Sequence, residues 1–172
     1  MNRFLLLLCA GFLCAAQALA LEAGEVSAAK RAFEQAKGKD GEAARAAYVT
    51  KLARMFDKSL AEYEKTGVRK DDAVLGTINT ELGRNPLPAA SDGKLLAKQI
   101  VGDWNSPRRT YRFKANGSYG TVEDGKEFIQ GKWHIQGNQL IEDKSPSTII
   151  LLSNKYLIFS TDGTTFFHSR AN

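Results

Sequence analysis

The two histidines are the residues of this chain best suited to acid–base or metal chemistry. His134 alternates with Trp133 in a strand-like segment, and His168 lies close to the C-terminus. A general base needs a positioned partner, and a zinc site needs three or four ligands. No spacing in the sequence brings either histidine to a carboxylate, so we interpret both as solvated or edge-strand residues. We therefore predict no catalytic residue, no metal site and no cofactor, and we do not expect an enzyme.

Aromatic residues in the second half of the chain could line a ligand-binding cavity. The candidates are Tyr111, Phe113, Tyr119 and Trp133. Aromatic rings supply large apolar area with a polar edge in Tyr and Trp, which suits a small-molecule site. In a small sheet the same residues also serve as core. Both interpretations stay open at the level of sequence.

A basic cluster lies on or near one predicted strand and comprises Arg108, Arg109, Arg112 and Lys114. One interpretation is a solvated strand face whose charges protect a sheet edge. The other is contact with an anionic surface such as a polysaccharide, a lipopolysaccharide or an acidic envelope protein. The export predicted below disfavours nucleic acid as the partner.

Residues 1–20 have the pattern of a cleavable export signal. Arg3 gives a basic start, residues 4–16 are an apolar run, and Ala18 and Ala20 form the small-residue cleavage pattern. The run is shorter than the roughly 20 residues that a transmembrane helix needs. We predict a periplasmic or secreted protein that is cleaved near Ala20 and has no transmembrane span.

Both cysteines lie within this predicted signal. Leu8 precedes Cys9 and Leu13 precedes Cys14, whereas a lipid-attachment site carries a small residue before its cysteine. A lipid anchor is therefore not expected. The mature chain would contain no cysteine, which excludes a disulfide framework and a thiol nucleophile.

Residues 21–88 are predicted to form a helical region that ends in a Pro-containing linker. Strong helix formers dominate it, and apolar residues such as Tyr48, Leu52 and Leu60 recur at helical spacing. The composition, 43% apolar and 25% charged, is that of a folded protein. We expect a hairpin of two or three helices, with Ser91 capping a further short helix.

Residues 89–172 are predicted to form a β-domain of about eight strands. The apolar pattern changes to a period of two, and turn pairs such as Asn116-Gly117 and Asp162-Gly163 separate the strands. Short turns force neighbouring strands to be antiparallel. The fold class is therefore α+β, with a helical hairpin followed by an antiparallel up-and-down β-meander.

The late strands are apolar on both faces, unlike the early ones. The segments 149–152, 156–159 and 166–167 show this most clearly. A sheet face that is apolar must be covered. We expect the N-terminal helices to supply the cover; the alternative is an exposed patch that binds a partner.

The second half resembles the small lipocalin-like domains of exported bacterial proteins. The segments that carry the resemblance are 100–104 (Ile-Val-Gly-Asp-Trp), 111–119 and 131–140. Gly102 and Trp104 match the lipocalin opening motif, in which the Trp closes one barrel end beneath an Arg near the chain end. The resemblance makes Arg170 that Arg. Because the strands are shorter than in full lipocalins, it implies an open or flattened barrel filled by its own side chains.

The N-terminal half is similar to helical segments of exported planctomycete-type and verrucomicrobial proteins, most of which have no assigned activity. The resemblance implies a non-catalytic binding or interaction module. Its partner would be a small apolar ligand, an envelope protein or a polysaccharide. The alternative is a structural or envelope-assembly protein that acts through its helices, and a hydrolase is the third hypothesis.

Overall fold

The structure is a computed structural model that describes residues 23–66, 72–106 and 109–171. The predicted export signal lies outside the described residues. The chain forms two compact units, one ending at Ile78 and the other running from Asn79 to Asn172. The helices are α1 (residues 23–36), α2 (Gly41–Thr66), α3 (Asp72–Gly83) and α4 (Gly93–Ile100). The strands are β1 (Gly102–Asn105), β2 (Thr110–Phe113), β3 (Ser118–Glu123), β4 (Lys126–Gln136), β5 (Gln139–Glu142), β6 (Ser145–Leu152), β7 (Tyr156–Thr161) and β8 (Thr164–Arg170).

The first unit contains the predicted helical hairpin. The chain leaves α1 at residues 37–40, and the Asp40 carboxylate accepts a hydrogen bond from the Ala43 backbone at 3.0 Å. This is the usual way to satisfy a free N–H group at a helix start. Phe33 of α1 stacks on Tyr48 of α2, with ring centroids 4.9 Å apart. The same apolar stripe continues through Leu52, which is fully buried.

The second unit is an antiparallel up-and-down barrel of eight strands, which confirms the predicted fold class. Each strand pairs with the next, and β1 also pairs with β8 through Trp104↔Arg170 and Asn105↔Ser169. These two pairs close the barrel, so the open alternative of the prediction was wrong. Short strands did not prevent closure, since β1 needs only its last residues to reach β8.

One end of the barrel is filled by side chains and capped by α4. Leu96 and Ile100 of α4 pack into a buried cluster with inward-facing residues of the strands. The strand members are Trp104, Phe113, Trp133, Leu140, Ile149, Leu157 and Phe159. Asp92, rather than the predicted Ser91, caps α4 by accepting from the Lys94 and Leu95 backbones at 2.9 and 3.2 Å.

Trp104 and Arg170 form the stacked pair that the resemblance implied. The guanidinium carbon of Arg170 lies 4.0 Å from the centroid of the fully buried Trp104 ring. Its two terminal nitrogens donate to the carbonyls of Val101 and Gln99, both at 2.8 Å. Gly102 adopts φ +131°, and a Cβ there would collide with the guanidinium. Arg170 thus ties β8 to the end of α4 by cation–π and charge-assisted bonds.

The Pro-containing segment before α4 belongs to the barrel unit. The Leu87 backbone donates to the Ile149 carbonyl at 2.9 Å, and the Asn138 side chain donates to the Leu87 carbonyl at 2.6 Å. The compact unit therefore begins before the boundary at residues 88/89 that the sequence suggested.

Side chains on the outer face of the late strands are buried as well. Ile150 and Ile158 are fully buried and Phe167 is nearly so, although they lie outside the interior cluster. That the N-terminal helices supply this cover stays a prediction. No helix within the described ranges has the length and apolar character required to cross a membrane.

Candidate functional site

The interior of the barrel contains a cavity of about 370 Å³ at the end opposite α4. Strand register explains its position, since most lining residues lie beyond the core cluster along their strands, toward the β1–β2, β3–β4, β5–β6 and β7–β8 turns. Phe113 and Phe159 belong to both the core cluster and the cavity lining. The lining residues are Tyr111, Phe113, Tyr119, Gln130, Glu142, Asp143, Ser145, Ser147, Phe159, Thr161, Phe166 and His168. Eight-stranded barrels have room for one small ligand, and this volume falls in the range of ligand pockets.

Aromatic rings form two walls of the cavity. On one side Phe113 stacks against Tyr119, with centroids 6.1 Å apart and planes at 18°. On the other side Phe159 stacks against Phe166 at 5.4 Å and 25°. Phe166 is 41% exposed, so this wall reaches the mouth of the cavity. A flat apolar group could therefore lie along either wall, with ring contacts that favour stacking.

Two neighbouring carboxylates line the cavity at the β5–β6 turn. Asp143 accepts hydrogen bonds from the Lys132 backbone at 2.8 Å and from the Tyr119 hydroxyl at 3.3 Å. Gly131 makes room for this carboxylate, because a Cβ there would overlap it. Burial, and then the charge of Asp143, raises the pKa of Glu142. Burial, followed by the charges of both carboxylates, raises the pKa of Tyr119 to about 12, so its hydroxyl remains a donor.

His168 contributes a buried polar group to the same cavity. Its side chain is 4% exposed, stacked on Phe159 and edge-on to Tyr111, with centroids 5.3 and 5.1 Å away. Burial lowers the pKa of His168 to about 4, although a hydrogen bond with the Leu157 backbone opposes the shift. The imidazole is neutral at physiological pH. The interpretation as a solvated or edge-strand residue was wrong for His168, because the closed barrel has no edge at β8.

Three of the four aromatic residues that were predicted to bind a ligand line the cavity. Tyr111, Phe113 and Tyr119 line the cavity, but Trp133 does not. Trp133 lies at the α4 end, edge-on to Phe113 at 5.7 Å, and its indole N–H donates to the carbonyls of Lys114 and Ser118 at 3.1 Å. It is therefore a core residue whose outer side borders a shallow groove beside α4. His134 borders the same groove and is exposed, as the alternation predicted.

The predicted basic cluster meets acidic partners on neighbouring strands. Arg112 makes a two-pronged contact with Asp103, at 2.7 and 2.6 Å, and Lys114 pairs with Glu127 at 2.8 Å. Hydrogen bonding to Arg112 lowers the pKa of Asp103. Any contact of Arg112 or Lys114 with an anionic surface would compete with these pairs. Arg109 is exposed, and Arg108 lies outside the described residues.

Most polar residues of the cavity were missed by sequence reasoning. Glu142, Ser147 and Thr161 occupy interior positions of their strands, two residues beyond Leu140, before Ile149 and after Phe159 respectively. A polar residue in phase with an apolar interior row is the available signal. The signal is weak in a strand of only four residues, because the sequence does not show which of its two faces points to the interior.

The described side chains include no group of three or more His, Cys, Asp or Glu residues placed to hold a metal ion. Comparison of the chain with protein-family models, with curated proteins and with solved structures found no match.

Proposed function

We propose that the barrel unit is a non-catalytic binding module that takes a small, partly apolar molecule into the cavity opposite α4. The observation that carries the proposal is the cavity itself. It has a volume of about 370 Å³, two aromatic walls and a few polar groups. Ligand sites combine such apolar enclosure with a small number of placed polar groups.

The contacts of His168 support binding rather than catalysis. A hydrolytic site would join the imidazole to a carboxylate by a hydrogen bond. Here the ring is held by Phe159 and Tyr111, and no hydrogen bond joins it to Glu142 or Asp143 among the described residues. Asp143 is engaged instead by Tyr119 and the Lys132 backbone.

Export and lipocalin-like kinship are part of the same proposal. Residues 1–20 supply the support for export to the periplasm or beyond, through their basic start, apolar run and small-residue cleavage pattern. The stack of Arg170 on Trp104 and the up-and-down topology support the kinship.

A fluorescence titration with N-phenyl-1-naphthylamine tests cavity binding. This neutral probe brightens when it enters an apolar site. Ser147 is buried at the cavity wall, where its hydroxyl lies 2.6 Å from that of Thr161. Ser147→Phe should place a ring in the cavity and weaken probe binding about tenfold or more.

Thr164→Phe is the matched control, since Thr164 is exposed on β8 and does not line the cavity. It should bind the probe like the unaltered chain. Thr161→Phe fills the cavity from the neighbouring strand and replaces Ser147→Phe if that variant does not fold. Equal binding by the filled and unaltered proteins, or no binding by the unaltered protein, would contradict the proposal.

A further inference from the structure

The formal charges that line the cavity are negative. Its ionisable lining residues are Glu142, Asp143, His168 and two tyrosines, and no lysine or arginine is among the described lining residues. The hydroxyl and amide groups of the lining can donate as well as accept, so the lining discriminates by charge, in favour of a positively charged molecule. An anionic ligand would face two carboxylates with no cation beside them.

The carboxylate of Glu142 has no hydrogen-bond donor or cation as a partner among the described residues. It lies on the interior face of β5 and pairs in register with Trp133 and Ser145. In the part of the chain that the structure describes, no hydrogen bond or ion pair engages its carboxylate, and its charged neighbour is Asp143, which repels it. Glu142 is half-buried, and partial burial of an ionised carboxylate without a counter-charge costs free energy. Proteins keep such an unfavourable group in a binding site where the bound ligand compensates the free-energy cost.

His168 adds a second acceptor, deeper in the same cavity. A neutral imidazole has one donor and one acceptor nitrogen, and Nδ1 can serve as the acceptor. Nδ1 is buried and has no hydrogen-bond partner among the described residues. A buried acceptor of this kind is satisfied when a ligand donates to it.

The walls around these acceptors suit a cation with a flat body. Tyr111, Phe159 and Phe166 present rings at the same side of the cavity as His168. Aromatic faces attract cations, and the attraction grows where water is excluded. Aromatic walls with one carboxylate therefore select a positively charged organic group over a neutral or anionic group of the same shape.

We infer that the ligand of the cavity is an organic cation with an aromatic body, whose ammonium group binds the Glu142 carboxylate. The inference rests on the proposed function, because it names the class of molecule that the cavity takes. The ring lies along the wall of Phe159 and Phe166, and a second donor of the ligand reaches Nδ1 of His168.

Three indole compounds with the same two-carbon side chain test the charge requirement. Tryptamine ends in an ammonium group, tryptophol in a hydroxyl and indole-3-propionate in a carboxylate. Each is used to displace N-phenyl-1-naphthylamine at neutral pH. Tryptamine should displace the probe at a concentration about tenfold or more below that of tryptophol, with the propionate weakest, as a charge-assisted bond provides.

Glu142→Gln tests the role of the carboxylate charge, because it removes the charge and keeps the shape of the side chain. The variant should lose the preference for tryptamine over tryptophol, with both compounds measured against the variant's own titration with the neutral probe. It should also unfold at a higher temperature than the unaltered chain when empty, because the uncompensated charge is gone. Glu123→Gln removes an exposed carboxylate that does not line the cavity, and should retain the preference.

The outcomes separate this inference from the proposed function. If the neutral probe binds but tryptamine and tryptophol displace it equally, or if Glu142→Gln keeps the preference, the cation inference is overturned and cavity binding stands. If the probe binds and no indole displaces it, the inference also fails. If the probe itself does not bind, the proposed function fails first.

Discussion

His168 was predicted to be a solvated residue, but the structure places it in the interior of the barrel. Alternation along β8 already places His168 on the same face as Arg170, which packs over Trp104 in the interior. The sequence therefore contained the information that His168 faces inward. Because histidine occurs on both the buried and the exposed faces of strands, the residue type gave no independent support for an inward orientation.

His168 should make the stability of the protein depend on pH. The folded-state pKa is about 4, below the ordinary value of 6.5. As the pH falls below 6.5, His168 becomes protonated in the unfolded chain but stays neutral in the folded chain. Stability is therefore complete above about pH 6.5 and declines toward pH 4, by about 3 kcal/mol in total from this group.

Urea unfolding of the unaltered chain and of His168→Gln, at pH 7 and pH 4.5, measures this dependence. The groups that face the imidazole are the Tyr111 ring, the Leu157 backbone and, across the cavity, the carboxylates of Glu142 and Asp143. These carboxylates titrate in both proteins. The loss of stability on acidification should be smaller in the variant, and equal losses would show that His168 is not buried neutral.

The short helix α4 and the last strand act together as the closure of one barrel end. Leu96 and Ile100 fill the end, and Arg170 binds the carbonyls of Gln99 and Val101 where the helix stops. Free carbonyls at a helix C-terminus are well matched to a guanidinium group. The first and last elements of the barrel are thereby joined through side chains as well as through β1–β8 pairing.

Arg170→Met should destabilise the protein by about 2–3 kcal/mol. Met keeps an apolar stem beside Trp104 but loses two charge-assisted hydrogen bonds and the cation–π contact. Arg170→Lys should recover only part of this, because one ammonium group does not span both carbonyls in the same plane. The measurement is urea unfolding followed by Trp fluorescence.

The exposed Arg109 provides the control for charge removal. Arg109→Met should change stability by no more than about 0.5 kcal/mol, as is usual for surface substitutions. If Arg170→Met costs no more than Arg109→Met, the closure by Arg170 contributes nothing to stability.

In the molecule as a whole, the barrel unit contains its complete interior. The interior cluster, the cavity and the contacts of Leu87 all lie within residues 79–172. Outer side chains such as Ile150 and Ile158 are nevertheless apolar and buried. The two-sided apolar pattern predicts that they need a cover.

A chain that begins at Asn79 tests both statements. It should fold, with the near-ultraviolet signal of Trp104 retained and probe binding within about threefold of the full chain, since the cavity is complete. Its free energy of unfolding should be lower than that of the full chain, because a small unit buries less surface. A truncated chain as stable as the full chain would contradict the prediction that the N-terminal helices provide the cover.

The amino-acid sequence was enough for the fold class and the strands, and the resemblance implied the Trp104–Arg170 pair. Periodicity, turn residues and a short opening motif are local signals, and local signals report which element forms and which of its faces is apolar. The same signals placed β7 and β8 at their observed bounds, Tyr156–Thr161 and Thr164–Arg170.

Three features follow from the tertiary structure and from no local pattern: the barrel closure, the salt-bridge partners and the cavity. Arg112 finds Asp103 through β1–β2 register, and Glu142, His168 and Phe166 share one space although long stretches of chain separate them. These juxtapositions depend on how many strands close and with what stagger. That geometry is a property of the complete sheet, so no single segment encodes it.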